Sequence, residues 1–230
     1  MVSETAGNER NMNRTLKAIL LSAGLCSLPN LCFPASIVYD NTATDLSGQY
    51  SPSSPGLEFG DQITLTNNSD RILSQFNFYS FLTAASASTQ RVTLRLYANT
   101  GVTNSPFTTP FYTSDLIQLT NGFGNYGITF PLSSNQVFLP NTFTWTVQFS
   151  NLGAGQTGGL LLYGPPATGS SLNDFWQRDG TGAWSLRQIN GTLADFAAKA
   201  SAVPEPGVLA LGGLGVLLLA AVRRFRKGPG

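Results

Sequence analysis

Histidine, the side chain most often used for acid–base catalysis near neutral pH, does not occur in this chain of 230 residues. Its absence excludes Ser-His-Asp and Cys-His catalysis, histidine-ligated zinc and histidine-based pH switching. The two cysteines, Cys26 and Cys32, both lie in the segment that we interpret below as a secretion signal. Once that segment is removed, the chain has no cysteine left for a disulfide or a thiolate metal site.

Oxygen-bearing side chains in the first third of the chain are the remaining groups that could bind a metal ion. Asp40, Asn41, Glu58 and Asp61 carry the oxygen ligands that Ca²⁺ prefers, but their spacing does not match a calcium-binding loop. We interpret them as solvated turn residues. Glycoside hydrolysis would need two carboxylates facing each other across a cleft, and the sequence favours no pair. We therefore predict no metal, no cofactor and no enzymatic activity, and a secreted hydrolase is the weakest alternative.

Aromatic side chains could bind sugars, because an exposed ring can stack on the face of a sugar. Trp176 and Trp184 flank a glycine-rich turn at 179–182, so we expect them to be exposed and name them as candidate sugar-stacking residues. Trp145 lies on an apolar stripe and is expected in the core. The alternative for the first two tryptophans is that they also belong to the core or to its rim.

The elements that must position these residues are short strands separated by turn residues. The strongest is 91–98, in which Val92, Leu94 and Leu96 alternate with polar side chains at period two. About ten such segments, with no helical periodicity between the termini, predict an all-β body over 36–202. We predict an antiparallel β-sandwich of jelly-roll-like topology, with an up-and-down barrel as the alternative.

The charge of the body argues against nucleic acid as a partner. Charged residues make up only 11% of the chain, and from Ser36 to Val203 nine acidic residues stand against six basic ones, a net charge of −3. Nucleic-acid binding needs clustered Lys and Arg to displace counterions. Such a surface, covered by uncharged polar side chains, is typical of extracellular β proteins.

The N-terminal segment has the layout of a secretory signal peptide. Arg14 and Lys17 form a basic n-region, and the apolar stretch 18–26 that follows is too short to span a bilayer. The segment ends in small residues, so we predict cleavage after Ala35, and hence a signal peptide over 1–35 that engages the Sec translocon and signal peptidase. Residues 1–11 are polar and are interpreted as an overlong start, with Met12 as the initiator.

The C-terminal segment predicts one short transmembrane helix. Residues 207–222 are uncharged and rich in Leu, Val, Ala and Gly, and as a helix they would be about 24 Å long. They are followed by a basic cluster of Arg223, Arg224, Arg226 and Lys227. Because basic residues favour the cytoplasmic side, this order places the cluster in the cytoplasm and the body outside.

An unusual proline motif, Val203-Pro204-Glu205-Pro206, precedes that helix. Two prolines so close together are excluded from a helix interior, so the segment is expected to be extended beside the membrane, where a protease could reach it. Together with the apolar span and the basic end, 203–227 resembles the PEP-CTERM sorting signal of Gram-negative bacteria that make extracellular polysaccharide. The resemblance implies an exosortase, a membrane cysteine protease, as the partner that cleaves near the motif. It also implies transient anchoring in the inner membrane, followed by release or re-anchoring at the cell surface.

The body also resembles the choice-of-anchor R domain over most of 37–200. The residues that carry this resemblance are 39–41, 92–97, 143–149 and the late segment 184–197. That family is defined by its anchoring context and implies no catalytic activity. We therefore expect an exported, non-enzymatic protein of the cell surface or extracellular matrix, associated with extracellular polysaccharide. The alternative is a dedicated carbohydrate-binding module.

Overall fold

The computed structural model describes residues 34–205, except 55, 67–68, 84–88, 102–103, 134 and 190–194. All regular secondary structure in this part of the chain is β, so the all-β prediction is confirmed. The predicted signal n-region, the helix at 207–222 and the basic cluster lie outside the described residues. Within the described ranges there is no helix with the length and apolar character needed to cross a membrane.

Fourteen strands occur in the described residues. In chain order they are β1 (Ser36–Asp40), β2 (Asp45–Tyr50), β3 (Glu58–Thr64), β4 (Asp70–Thr83), β5 (Arg91–Ala98), β6 (Tyr112–Thr113), β7 (Ile117–Gln118), β8 (Gly122–Thr129), β9 (Thr142–Ser150), β10 (Thr157–Tyr163), β11 (Ser170–Arg178), β12 (Trp184–Arg187), β13 (Asp195–Phe196) and β14 (Ala198–Pro204).

These strands form two antiparallel sheets of seven strands each in the part that is described. The first sheet has the order β1-β14-β4-β10-β13, with β2 paired to β10 and β8 paired to β4. The second has the order β12-β11-β3-β9-β5-β6, with β7 also paired to β5. The prediction of two antiparallel sheets is confirmed. The alternative, an up-and-down barrel, does not fit, because the strands pair into two separate sheets and not into one closed sheet.

Alternating apolar residues on facing strands build the core between the sheets. In β9, Phe143, Trp145 and Val147 are all fully buried, as their period-two stripe predicts. The Trp145 ring lies 5.5 Å from the ring of Phe76 on β4, which joins the second sheet to the first. The Phe196 ring of β13 meets Trp145 at 6.4 Å. Aromatic packing of this kind adds about 0.5–1.5 kcal/mol per pair beyond the area buried.

The last strand of the first sheet runs into the proline motif. β14 continues through Val203 and Pro204, which pair with Ile72 and Asp70 of β4. Val203 is buried, and Pro204 stands at the strand end, where a missing N–H group is tolerated. We predicted that the body ends at 202 and the sorting segment begins at 203, but this boundary falls inside β14. Glu205 is the last described residue and directly follows the strand.

A chain shortened to 36–202 should be less stable than one that ends at Glu205. The shorter fragment loses Val203, whose buried side chain is expected to contribute about 1.5–3 kcal/mol to the free energy of unfolding. Urea unfolding of the two fragments, followed by tryptophan fluorescence, measures the difference. Equal midpoints would mean that the end of β14 does not contribute to the fold.

Candidate functional site

Strand alternation leaves one face of the first sheet turned away from the core. In β4, Phe76 and Phe78 point inward and are buried, so Tyr79 between Phe78 and Ser80 points outward and is half-buried. In β10, Leu162 points inward and the neighbouring Tyr163 points outward. Because β4 and β10 are paired, the two tyrosines lie on the same outer face, with ring centroids 5.8 Å apart.

A groove of about 440 Å³ opens between these tyrosines and the neighbouring strands. We call it the Tyr79 groove, and its lining residues are Asp45, Ser47, Gly48, Gln49, Tyr79, Phe123, Leu161 and Tyr163. Phe123, at the start of β8, is 74% exposed, which is unusual for so large an apolar side chain. The groove thus combines three aromatic rings with a carboxylate, an amide and a hydroxyl group.

A local distortion of β2 shapes the polar side of the groove. The pairing of β2 with β10 shifts register near Tyr163, and Ser47 has a positive φ of 54°. Non-glycine residues rarely adopt that conformation, and such strain is concentrated at functional sites. The Ser47 N–H donates a hydrogen bond to Asp45 Oδ1 at 2.7 Å. Burial, with a smaller effect from the charge of Asp45, raises the pKa of Tyr163, so its hydroxyl stays protonated at neutral pH.

The Tyr79 groove has the chemistry of a binding surface. Aromatic faces can stack on the C–H face of a sugar, while the Asp45 carboxylate and the Gln49 amide can exchange hydrogen bonds with sugar hydroxyls. A larger groove of about 570 Å³ lies elsewhere and contains Phe111, Phe130 and Phe138. Among the described residues no charged side chain lines this larger groove, so it offers less for a polar ligand.

The two tryptophans predicted to stack on sugars are differently placed. Trp176 is only 8% exposed, and its indole N–H donates a hydrogen bond to Gln62 Oε1 at 3.4 Å. The expectation that Trp176 is exposed is wrong, because β11 packs it against its neighbours although it lies close to the turn. Trp184 is half-buried, with the Arg178 guanidinium 5.5 Å from its ring centre and Tyr97 against its edge. A sugar role for Trp184 stays a prediction.

The oxygen-bearing residues named from the sequence fall into two groups. Glu58 accepts a hydrogen bond from Thr146 Oγ1 at 2.5 Å and lies 3.4 Å from Arg95 and 3.8 Å from Arg178. Asp40 lies 3.0 Å from the Lys199 ammonium. Both therefore have structural partners.

Asn41 and Asp61 have no ion pair among the described residues, and like Glu58 they are buried. The expectation of solvated turn residues is wrong for Asn41, Glu58 and Asp61. Asn41 and Asp61 pack in the interior, where both form hydrogen bonds to the backbone of Phe196. Glu58 lies on the opposite face of β3 from Asp61 and is covered by Arg95 and Arg178.

The sorting segment begins where β14 ends. Glu205 is exposed and directly follows Pro204, so the described part of the motif is extended and runs from a buried Val203 to an exposed Glu205. Residues 202–227 match the family model of the PEP-CTERM protein-sorting motif. The chain carries a PEP-CTERM sorting motif. This motif identifies an exported, membrane-transiting protein that is processed by an exosortase, as the resemblance over 203–227 predicted.

No curated protein and no solved structure matches the chain. The resemblance of the body to the choice-of-anchor R domain stays a prediction, as do Ala35 as the cleavage site and the four basic residues as the cytoplasmic end. The fold and the contacts described above are therefore the basis for any statement about what the body does.

Two members of the Tyr79 groove were missed by the sequence reasoning. Tyr79 follows Phe78 in a strand whose inward row is Phe76, Phe78 and Ser80, so period two alone would have placed it on the outer face. Phe123 stands between two glycines, a pattern that favours a turn, whereas β8 already begins at Gly122. That these two residues meet Tyr163 depends on strand pairing, which the sequence does not display.

Proposed function

We propose that this PEP-CTERM protein is a non-enzymatic component of the outer cell surface or extracellular matrix that binds extracellular polysaccharide through the Tyr79 groove. The Sec translocon and signal peptidase export it, and an exosortase then removes its C-terminal tail. The predictions of a surface protein and of a carbohydrate-binding module thus become one proposal. The stacking residues become Tyr79, Phe123 and Tyr163, in place of Trp176 and Trp184.

The observation that carries this proposal is the combination of exposed rings and polar groups in one groove. Exposed aromatic residues without polar neighbours would favour a protein interface, while polar residues alone would favour bulk solvent. Here Tyr79, Tyr163 and Phe123 supply stacking surfaces, and Asp45 and Gln49 supply hydrogen-bonding groups. The open shape suits an extended chain of sugar units better than a small metabolite, which would be enclosed on most sides.

A non-enzymatic role is supported by the contacts of the acidic side chains. Hydrolysis of a glycosidic bond requires two carboxylates on either side of the scissile bond. Asp45 is the only carboxylate that lines the described part of the Tyr79 groove. Glu58 and Asp179 line another groove of about 440 Å³, but Glu58 is held by Thr146, Arg95 and Arg178. A secreted hydrolase remains the weakest alternative.

Replacing the groove aromatics should weaken binding to the extracellular polysaccharide of the host. We expect Tyr79→Ala combined with Phe123→Ala to lower the affinity by about tenfold or more, because two stacking contacts of roughly 0.5–1.5 kcal/mol each are lost. Affinity electrophoresis of the full-length chain in gels containing the purified polysaccharide measures this. Tyr79→Phe retains the ring and should retain most of the binding.

The control is Phe107→Ala, which removes another exposed aromatic side chain outside the groove. It should leave the affinity unchanged. If the Tyr79 and Phe123 substitutions also leave the affinity unchanged while the protein stays folded, the groove is not the polysaccharide site. If wild-type protein shows no retardation at all, the proposed association itself is wrong.

A further inference from the structure

A carboxylate occupies a core position in β3. Strand alternation places Asp61 in the inward row between Phe59 and Ile63, and its exposure is 0%. A second carboxylate, Asp195 of β13, is 3% exposed and comes from the opposite sheet. Lys, Glu, Arg and Asp are almost never fully buried unless they are paired. The surroundings of these two acids should therefore contain whatever compensates their charge.

Two hydrogen bonds to the backbone of Phe196 bring Asp61 and Asn41 close to Asp195. Asp61 Oδ2 accepts a hydrogen bond from the Phe196 N–H at 2.5 Å, next to Asp195. On the other side of the same residue, Asn41 Nδ2 donates to the Phe196 carbonyl oxygen at 3.2 Å. Ser171 of β11 lies close to both the Asp195 carboxyl and the Tyr39 hydroxyl, without a hydrogen bond of normal geometry.

Five oxygen atoms of this buried group have no hydrogen-bond partner among the described residues. They are Tyr39 Oη, Asn41 Oδ1, Asp61 Oδ1, Ser171 Oγ and Asp195 Oδ1. A buried polar atom without a partner costs about 1–3 kcal/mol, and more when it is charged. The hydrogen bonds of Asp61 and Asn41 to Phe196, and the closeness of Ser171 to Tyr39 and Asp195, gather these residues in one region of the core. A ligand bound there would supply the missing contacts.

No cation of the described residues is paired with Asp61 or Asp195. Lys199 is bound to Asp40, while Arg95 and Arg178 are bound to Glu58.

A divalent cation would both bind the unpartnered oxygens and compensate the two buried carboxylates. A water molecule could bond to the oxygens but would leave two buried negative charges uncompensated. A cation that prefers oxygen neutralises both carboxylates and accepts neutral amide and hydroxyl oxygens as further ligands. Ca²⁺ takes six to eight such oxygens in irregular geometry, whereas Mg²⁺ requires a near-octahedral set and usually retains several waters.

We propose that Asp61 and Asp195, with the neutral oxygens of Asn41, Ser171 and Tyr39, form a buried Ca²⁺ site that joins the two sheets. The described residues contain no group of three or more Cys, Asp or Glu side chains that could hold a metal ion, and here neutral oxygens complete a set of two carboxylates. The proposal departs from our expectation of no metal. It uses Asn41 and Asp61 from the four residues named at first, but neither Asp40 nor Glu58.

Calcium binding is tested on the full-length chain purified in mild detergent and treated with EDTA. Equilibrium dialysis against CaCl₂ should show one Ca²⁺ per chain. At a calcium concentration about 100-fold above Kd, Tm should rise by about 5–10 °C. Magnesium at the same concentration should shift Tm less. An absence of bound calcium in dialysis, or an equal shift with magnesium, would overturn the proposal.

Two variants distinguish a bound calcium ion from a proton shared between Asp61 and Asp195. Asp61→Asn or Asp195→Asn removes one buried charge, so in EDTA each variant should melt at a higher temperature than wild type, while in calcium wild type should melt higher. Asp115→Asn, on the exposed surface, should follow wild type in both conditions. The proposal would be wrong if calcium left the Tm of wild type unchanged while a fall in pH from 7.5 to 5 raised it. That result would indicate that Asp61 and Asp195 share a proton and bind no cation.

Discussion

Replacing Glu205 and Pro206 together by alanine is expected to leave the chain bound to the membrane with its basic tail attached. The motif match covers both residues, and Glu205 is exposed at the end of β14. The substitution does not touch the apolar span 207–222, so membrane insertion should be unaffected. The basic cluster resists passage across the bilayer, because each charge costs about 2.5–3.5 kcal/mol at its centre on insertion scales. Processing should therefore fall to near zero.

The structure also limits where the cut can be made. A cut before Val203 would remove a buried residue of β14 and weaken the first sheet. We expect the mature protein to retain Pro204 and to lack everything beyond about Pro206. Intact-mass measurement of protein released from the surface gives the answer directly.

A matched control is Gly228→Ala with Pro229→Ala, which lies beyond the matched residues 202–227 and should be processed normally. The prediction fails if wild-type protein keeps Arg223 to Lys227 in a host with a working exosortase. In that case the tail would act as an ordinary anchor.

Gly60→Ala is expected to cost about 3 kcal/mol or more of the free energy of unfolding. A Cβ atom at this position would overlap the Trp145 carbonyl oxygen and lie 2.7 Å from the Thr146 Cα. Both are backbone atoms of β9, so they cannot move without disturbing its pairing with β3. Overpacking of a dense interior typically costs 1–3 kcal/mol, and more where the obstacle is rigid. Urea unfolding of the full-length chain measures the loss.

Gly180→Ala provides the comparison, because a Cβ atom there would meet nothing within 4 Å and the glycine has no positive φ. That variant should unfold within about 0.5 kcal/mol of wild type, as is usual for surface substitutions. If Gly60→Ala behaved in the same way, the close approach of β3 and β9 would be wrong, and with it the register that places Asp61 in the core.

The sorting function could be predicted from the sequence because its signal is contiguous. The proline motif, the apolar span and the basic cluster follow one another within 202–227, and no folding is needed to bring them together. The all-β class and the burial of Trp145 were also predictable, since period-two alternation is a local property of each strand. By the same rule Asp61 shares a face with Phe59 and Ile63, and this could have been noticed.

The Tyr79 groove and the buried oxygen cluster could not have been derived from the sequence. The groove joins β2, β4, β8 and β10, and the cluster joins Asp61 to Asp195, 134 positions further along the chain. Strand order and register set those contacts, and both depend on the free energy of the complete pairing rather than on any one segment. The same holds for Trp176, which lies beside a turn but is covered by its neighbours, and for β14, which extends into the proline motif because Ile72 and Asp70 of β4 pair with it.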